Sequence, residues 1–95
     1  MQFLIIARDG TDEGALARRL AAREAHLASV KAMYADGRII EGGAILDDEG
    51  RMVGSGVIAE FPDRAALDEW IQNDPYTKGG VWKDIEILPF RRAPR

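Results

Sequence analysis

The sequence predicts an α+β fold of the ferredoxin-like βαββαβ type, a four-stranded antiparallel sheet with two helices on one face. Strand-like apolar runs and amphipathic helical stretches follow one another as strand, helix, strand, strand, helix, strand. Turn chemistry built on Gly, Pro, Asp or Asn separates most of them. Right-handed crossovers leave few competing topologies for that order. With 95 residues and no linker or low-complexity stretch, the chain reads as one domain over 1–95.

Phe3 to Ala7 is apolar at every position, the pattern of a strand covered on both faces. Asp9-Gly10-Thr11-Asp12 is a turn, in which Thr11 or Asp12 can cap the next helix. That helix runs from Glu13 to Tyr34 or Ala35 in good helix formers. Leu16, Leu20, Leu27, Val30 and Tyr34 fall on one stripe at the helical period, the expected core face. Gly37 is its left-handed cap. Arg38 to Leu46 is the second strand, where Gly42-Gly43 suggests a bulge or a close backbone approach. Asp47-Asp48-Glu49-Gly50 turns a hairpin into the strand Arg51 to Phe61. Pro62-Asp63 opens a second helix, Arg64 to Gln72, with Ala65, Ala66, Leu67, Trp70 and Ile71 as its apolar contacts. Asn73-Asp74-Pro75 ends it, since Pro75 has no N–H to donate and keeps Asp74 extended. Trp82 to Phe90 is the last strand.

The strands do not alternate cleanly between apolar and polar. Phe3 and Ile5 point one way and Leu4 and Ile6 the other, while Ile85 and Ile87 oppose Trp82, Leu88 and Phe90. Two helices cannot cover both faces, so a homodimer packed sheet to sheet is expected.

Composition removes most chemistry. There is no cysteine and one histidine, which excludes disulfides, thiolate sites and multi-histidine metal sites. A net charge of −3 argues against a nucleic-acid surface. The N-terminal apolar run is too short for a signal peptide or a membrane span. A small cytosolic-type domain is expected, with no cofactor, metal or membrane partner.

His26 is the one side chain whose ordinary pKa lies near neutrality. It sits at the border of the apolar stripe, a position open both to packing and to a cleft. Arg19 and Arg23 share its flank and suit an anionic ligand, or else a solvated charged surface. Asp74, held before a proline, either forms the turn or orients an imidazole by accepting its ring proton. Gly54-Ser55-Gly56 places two glycines on one face of a strand and Ser55 on the other. It reads as a bare patch for a ligand or as a close sheet-to-sheet approach.

Taken together, Arg19-Leu20, Arg23-Glu24-x-His26-Leu27, Gly54-Ser55-Gly56, Asp74-Pro75-Tyr76 with Gly80, and Ile87-x-Pro89-Phe90 resemble the YciI-like (YCII-related) proteins over essentially the whole chain. The resemblance implies a fold of the dimeric α/β-barrel group. It implies His26 and Asp74 as a dyad near a cleft, with Ser55 and Tyr76 as neighbours. Proteins of this type include a dehydrochlorinase of a chlorinated hydroxyquinol, and similar barrels host muconolactone isomerases.

The expected function is thus a cofactor-free lyase or isomerase acting on a small aromatic or unsaturated acid. His26 would move the proton, Asp74 orient it, Arg19 or Arg23 hold the anion, and Ser55 and Tyr76 bond to developing oxygen charge. A non-catalytic protein binding a small anionic metabolite, or a dimeric interaction module, are the alternatives.

Overall fold

The computed structural model describes residues 1–95. Its elements are β1 (Gln2–Asp9), α1 (Ala15–Asp36), β2 (Ile39–Leu46), β3 (Met52–Glu60), α2 (Arg64–Asn73), a one-turn helix α3 (Pro75–Lys78) and β4 (Trp82–Pro89). The four strands form one antiparallel sheet in the order β2-β3-β1-β4, the ferredoxin-like arrangement. No helix is long and apolar enough to cross a membrane. α3 is the element absent from the sequence reading, where Pro75 only ended α2. Proline suits the first position of a helix as well as the position after one, so the same residue stops α2 and starts α3.

Phe3, Ile5 and Ala7 of β1 pair with Ala59, Val57 and Ser55 of β3 and point toward the helices. Met33, Leu67, Ile71, Tyr76 and Val81 close over them to form the core. The inward face of α1 is not the predicted stripe. Leu16, Leu20, Leu27 and Tyr34 are exposed, and the helix buries Arg19, His26 and Met33, seven residues apart. Two carboxylates under the helix supply the reason: each draws in a basic side chain that hydropathy places outside. The α1 cap also differs. Gly14 occupies the N-cap without a side-chain bond, and Asp12 instead takes both terminal nitrogens of Arg18 at 2.8 and 2.7 Å. Those bonds hold its carboxyl far below the usual carboxylate range. On α2, Ala65 is exposed while Leu67 and Ile71 are buried.

Three register shifts interrupt the strand pairings. The register of β1 and β4 shifts between Arg8 and Asp9, so Trp82 pairs with Asp9 and joins Ile85 and Ile87 on the helix side, not Leu88 on the other. In β2 the shifts fall between Ile39 and Glu41 and between Ile45 and Leu46, on either side of the glycines and not at them. Gly42 marks a close approach instead, since a Cβ there would lie 3.3 Å from the Tyr34 hydroxyl oxygen.

The face away from the helices carries Leu4, Ile6, Ile58 and Leu88, with Gly56 opposite Ile6. Arg8 lies 3.8 Å from both Asp84 and Glu86 at its rim. Gly54 and Gly56 share this face but differ in surroundings. A Cβ on Gly56 would meet nothing within 4 Å, whereas one on Gly54 would lie 2.6 Å from the Ala7 carbonyl oxygen. Gly54 is therefore required by its own neighbouring strand, whose backbone cannot yield cheaply. Gly54→Ala is expected to cost about 1–3 kcal/mol of stability, the usual scale of overpacking, measured by urea unfolding.

Candidate functional site

The site begins with two short-range decisions of the chain. α2 ends at Asn73, and Asp74 turns extended, with φ −67° and ψ 140°, before α3 starts. Its Oδ2 accepts from the Tyr76 amide at 2.9 Å, the ordinary work of an N-cap. The same oxygen lies 2.8 Å from His26 Nδ1, which reaches it from the inward face of α1. Asp74 is 1% exposed and His26 8%, so this contact is shielded from solvent. With the carboxylate as acceptor, Nδ1 carries the proton and Nε2 is the basic ring nitrogen.

Packing holds the imidazole in that orientation. The Tyr76 ring stacks on it at 3.9 Å and 17°, and the Trp82 indole meets it edge-on at 5.8 Å. The guanidinium carbon of Arg19 sits 4.6 Å from the Tyr76 ring centre, within cation–π range. Burial pushes the Tyr76 phenol above its ordinary pKa, with Arg19 and Arg23 opposing the shift in part. At neutral pH it is therefore an uncharged hydroxyl.

A second buried set lies beside the dyad. Arg19 Nη1 donates to both carboxylate oxygens of Asp9 at 3.0 and 3.1 Å, and its Nη2 donates to Ser55 Oγ at 2.9 Å. Trp82 Nε1 donates to the same oxygen at 3.1 Å. The Arg19 and Asp9 side chains are each only 3% exposed. The charge of Arg19, an expected anion holder, is balanced within the chain by Asp9. Arg23 is exposed and makes no ion pair, leaving its guanidinium free for a ligand.

His26, Arg19, Arg23, Ser55 and Tyr76 all line one cavity of about 170 Å³ between α1 and the β2–β3 hairpin. Leu27, Val30, Ile39, Val57 and Trp70 supply apolar wall. The space is smaller than the ~300–1,000 Å³ of drug-sized sites, so it suits a molecule of about one ring. A larger hollow under the C-terminal tail, lined by Met1, Gln2, Glu60 and Phe90 to Arg95, contains none of the candidate residues. Nowhere do three or more His, Asp or Glu side chains gather as a metal-binding group.

Asp9 and Trp82 were not singled out from the sequence. Period-two alternation carried a signal for Asp9: Phe3, Ile5, Ala7 and Asp9 share one face, so the acid follows three core residues inward. An inward carboxylate requires a cation, and Arg19 answers it. For Trp82 the bulge erased the corresponding signal.

Comparison with known proteins adds to this geometry. The model of the YCII-related domain matches residues 1–91. An uncharacterized protein of Haemophilus influenzae is 37% identical over 99 residues, covering 98% of this chain and 99% of the relative. Protein YciI of Escherichia coli O6:H1 is 35% identical over the same shares of both chains. Among solved structures, 5-chloro-2-hydroxyhydroquinone dehydrochlorinase (TftG) of Burkholderia phenoliruptrix AC1100, in complex with 2,5-dihydroxybenzoquinone, superposes with a TM-score of 0.85. It is 30% identical, and the match covers 98% of this chain and 96% of that one.

Proposed function

The chain belongs to the YCII-related family, and we propose that it is an acid–base lyase or isomerase of small aromatic or unsaturated acids, with His26 as base and Asp74 as its orienting partner. The observation that carries this reading is the 2.8 Å contact between His26 Nδ1 and a carboxylate that is 1% exposed, at the wall of a ring-sized cavity. Its likeness to a dehydrochlorinase over nearly the whole of both chains supports the same class of reaction.

In this reading Nε2 takes a proton from an acidic O–H or C–H next to a carbonyl or phenolic carbon. The electron pair left behind enters the conjugated system. In an isomerisation His26 returns that proton to another carbon of the conjugated system. In an elimination it returns it to the carbon bearing the halogen, which becomes tetrahedral. A second deprotonation, of a conjugated O–H, then expels chloride, so that H⁺ and Cl⁻ are lost together. Asp74 stabilises the imidazolium formed between the two steps. Arg23 supplies the cation for the substrate's acidic group, and Ser55 and Tyr76 bond to its oxygens. Every step uses side chains of the chain itself.

The test is chloride release from 5-chloro-2-hydroxyhydroquinone, followed with an ion-selective electrode against a no-protein control. Catalysed release supports elimination. Tight binding of 2,5-dihydroxybenzoquinone without any turnover of chlorinated hydroxyquinols would instead leave a small-anion-binding protein.

A second copy of the chain completes the molecule in this proposal, covering Leu4, Ile6, Ile58 and Leu88 sheet to sheet. Light scattering across a dilution series is expected to give twice the chain mass. Gly56→Glu projects a charge from the middle of that face, where the chain itself leaves room for a side chain. The variant is expected to fold with unchanged circular dichroism and to run at monomer mass. A wild-type monomer at micromolar concentration would remove the dimer.

A further inference from the structure

The buried ion pair beside the dyad is expensive for the little stability it brings. Its two charges are almost fully desolvated, and Arg19 Nε has no partner at all. Pairs of this kind are often no better for stability than apolar residues of the same volume. What the pair does do is hold one Arg19 nitrogen against Ser55 Oγ. Arginine and the tryptophan indole can only donate hydrogen bonds, so both lone-pair positions of the Ser55 oxygen are filled, at 2.9 and 3.1 Å. The hydroxyl proton occupies the one direction left. No acceptor in the chain receives it, and Ser55 lines the cavity.

We propose that Asp9 and Arg19 act as positioning residues that make Ser55 a donor-only hydroxyl, so that the polar end of the cavity takes its ligand by a carbonyl, phenolate or enolate oxygen. Serine ordinarily rotates to donate or accept as a ligand requires. Here that freedom is removed before the ligand arrives, which is the preorganisation that stabilises developing oxygen charge. His26 complements it. Its Nε2 accepts while Nδ1 donates to Asp74, so one wall of the cavity offers a fixed donor and a fixed acceptor. A molecule with an acidic hydrogen near a conjugated oxygen matches both. This rests on the proton-transfer reading for its substrate class, but the polarity of Ser55 follows from Asp9, Arg19 and Trp82 alone.

Binding of 2,5-dihydroxybenzoquinone and of hydroquinone by calorimetry tests it, with wild type, Ser55→Ala, Asp9→Asn, the double variant and His26→Gln. The wild type is expected to prefer the quinone, whose carbonyls accept. Ser55→Ala and Asp9→Asn each weaken quinone binding by about 10- to 100-fold, the scale of a charge-assisted hydrogen bond. The double variant binds within about twofold of Ser55→Ala, because Asp9 acts only through that hydroxyl. A purely structural Asp9 would give additive losses, and additivity overturns the proposal. So does equal affinity for the two rings, or a wild type that binds neither. If Asp9→Asn does not fold, Ser55→Ala decides alone: unchanged quinone affinity refutes the donor. Quinone binding lost in Ser55→Ala but kept in His26→Gln, with no chloride release by the wild type, would support the donor and sink the proton-transfer reading. The reverse pattern would do the opposite.

Discussion

His26→Gln is expected to lower turnover by about 10²–10⁴-fold, the contribution of a positioned acid–base group, while the fold and its melting temperature change little. Glutamine keeps a polar side chain beside Asp74 but has no group that titrates near neutrality. Asp74→Asn is the more informative partner. The asparagine carbonyl oxygen can still accept from the Tyr76 amide, so the turn into α3 survives. That same oxygen faces His26 Nδ1, so it still accepts the ring proton and keeps the tautomer, while the NH₂ takes the place of Oδ1. What is lost is the negative charge that steadies the imidazolium. A loss of about 10- to 100-fold is expected, the scale of a charge-assisted hydrogen bond. Rates measured with 5-chloro-2-hydroxyhydroquinone, alongside ¹⁵N spectra of the imidazole, check both halves. Full activity in Asp74→Asn would remove Asp74 from the mechanism.

The second large effect concerns stability. Asp9→Leu and Arg19→Met, made singly, each strand a charge whose partner side chains are 3% exposed. A loss of about 3–5 kcal/mol is expected for each, read from urea unfolding midpoints at constant m-value. For a domain of this size that is a large part of the total. Combining them removes both charges and restores most of the stability, because the desolvation penalty disappears with the pair. The recovered double variant still lacks the donor that turned Ser55 toward the cavity. Stability and ligand affinity therefore part company in it, whereas an ion pair kept for stability alone would let them recover together.

Much of the fold was legible because backbone rules are local. Gly37 at φ 85° closes α1, Asp63 caps α2 through the Ala66 amide, and the hairpin turns at Gly50. Hydropathy was a poorer guide to facing. It chose Leu16, Leu20, Leu27 and Tyr34 for the inside of α1, and the structure has Arg19 and His26 there, because buried carboxylates outweigh the transfer preference of leucine. Simple alternation puts Trp82 on the wrong side of β4 because a single register shift reverses the parity of every residue beyond it. His26 and Asp74 are 48 positions apart, so residue chemistry nominated each and only the family resemblance joined them. Asp9 stands in plain alternation with the core, a signal that the turn chemistry of Asp9-Gly10 masks.

One oxygen of Asp74 closes a turn and fixes a tautomer at once. The two tasks have different tolerances under sequence drift. Asparagine, serine or threonine would close the turn as well, but none keeps Nδ1 protonated with a negative charge. A gene copy released from its reaction can therefore exchange the acid at 74, or lose the histidine at 26, and still encode a sound domain. The scaffold outlives its chemistry easily. In a lineage of such chains, the overall likeness of shape records ancestry, while, on the function proposed above, an acid at 74 facing a histidine at 26 would mark the members that keep the reaction.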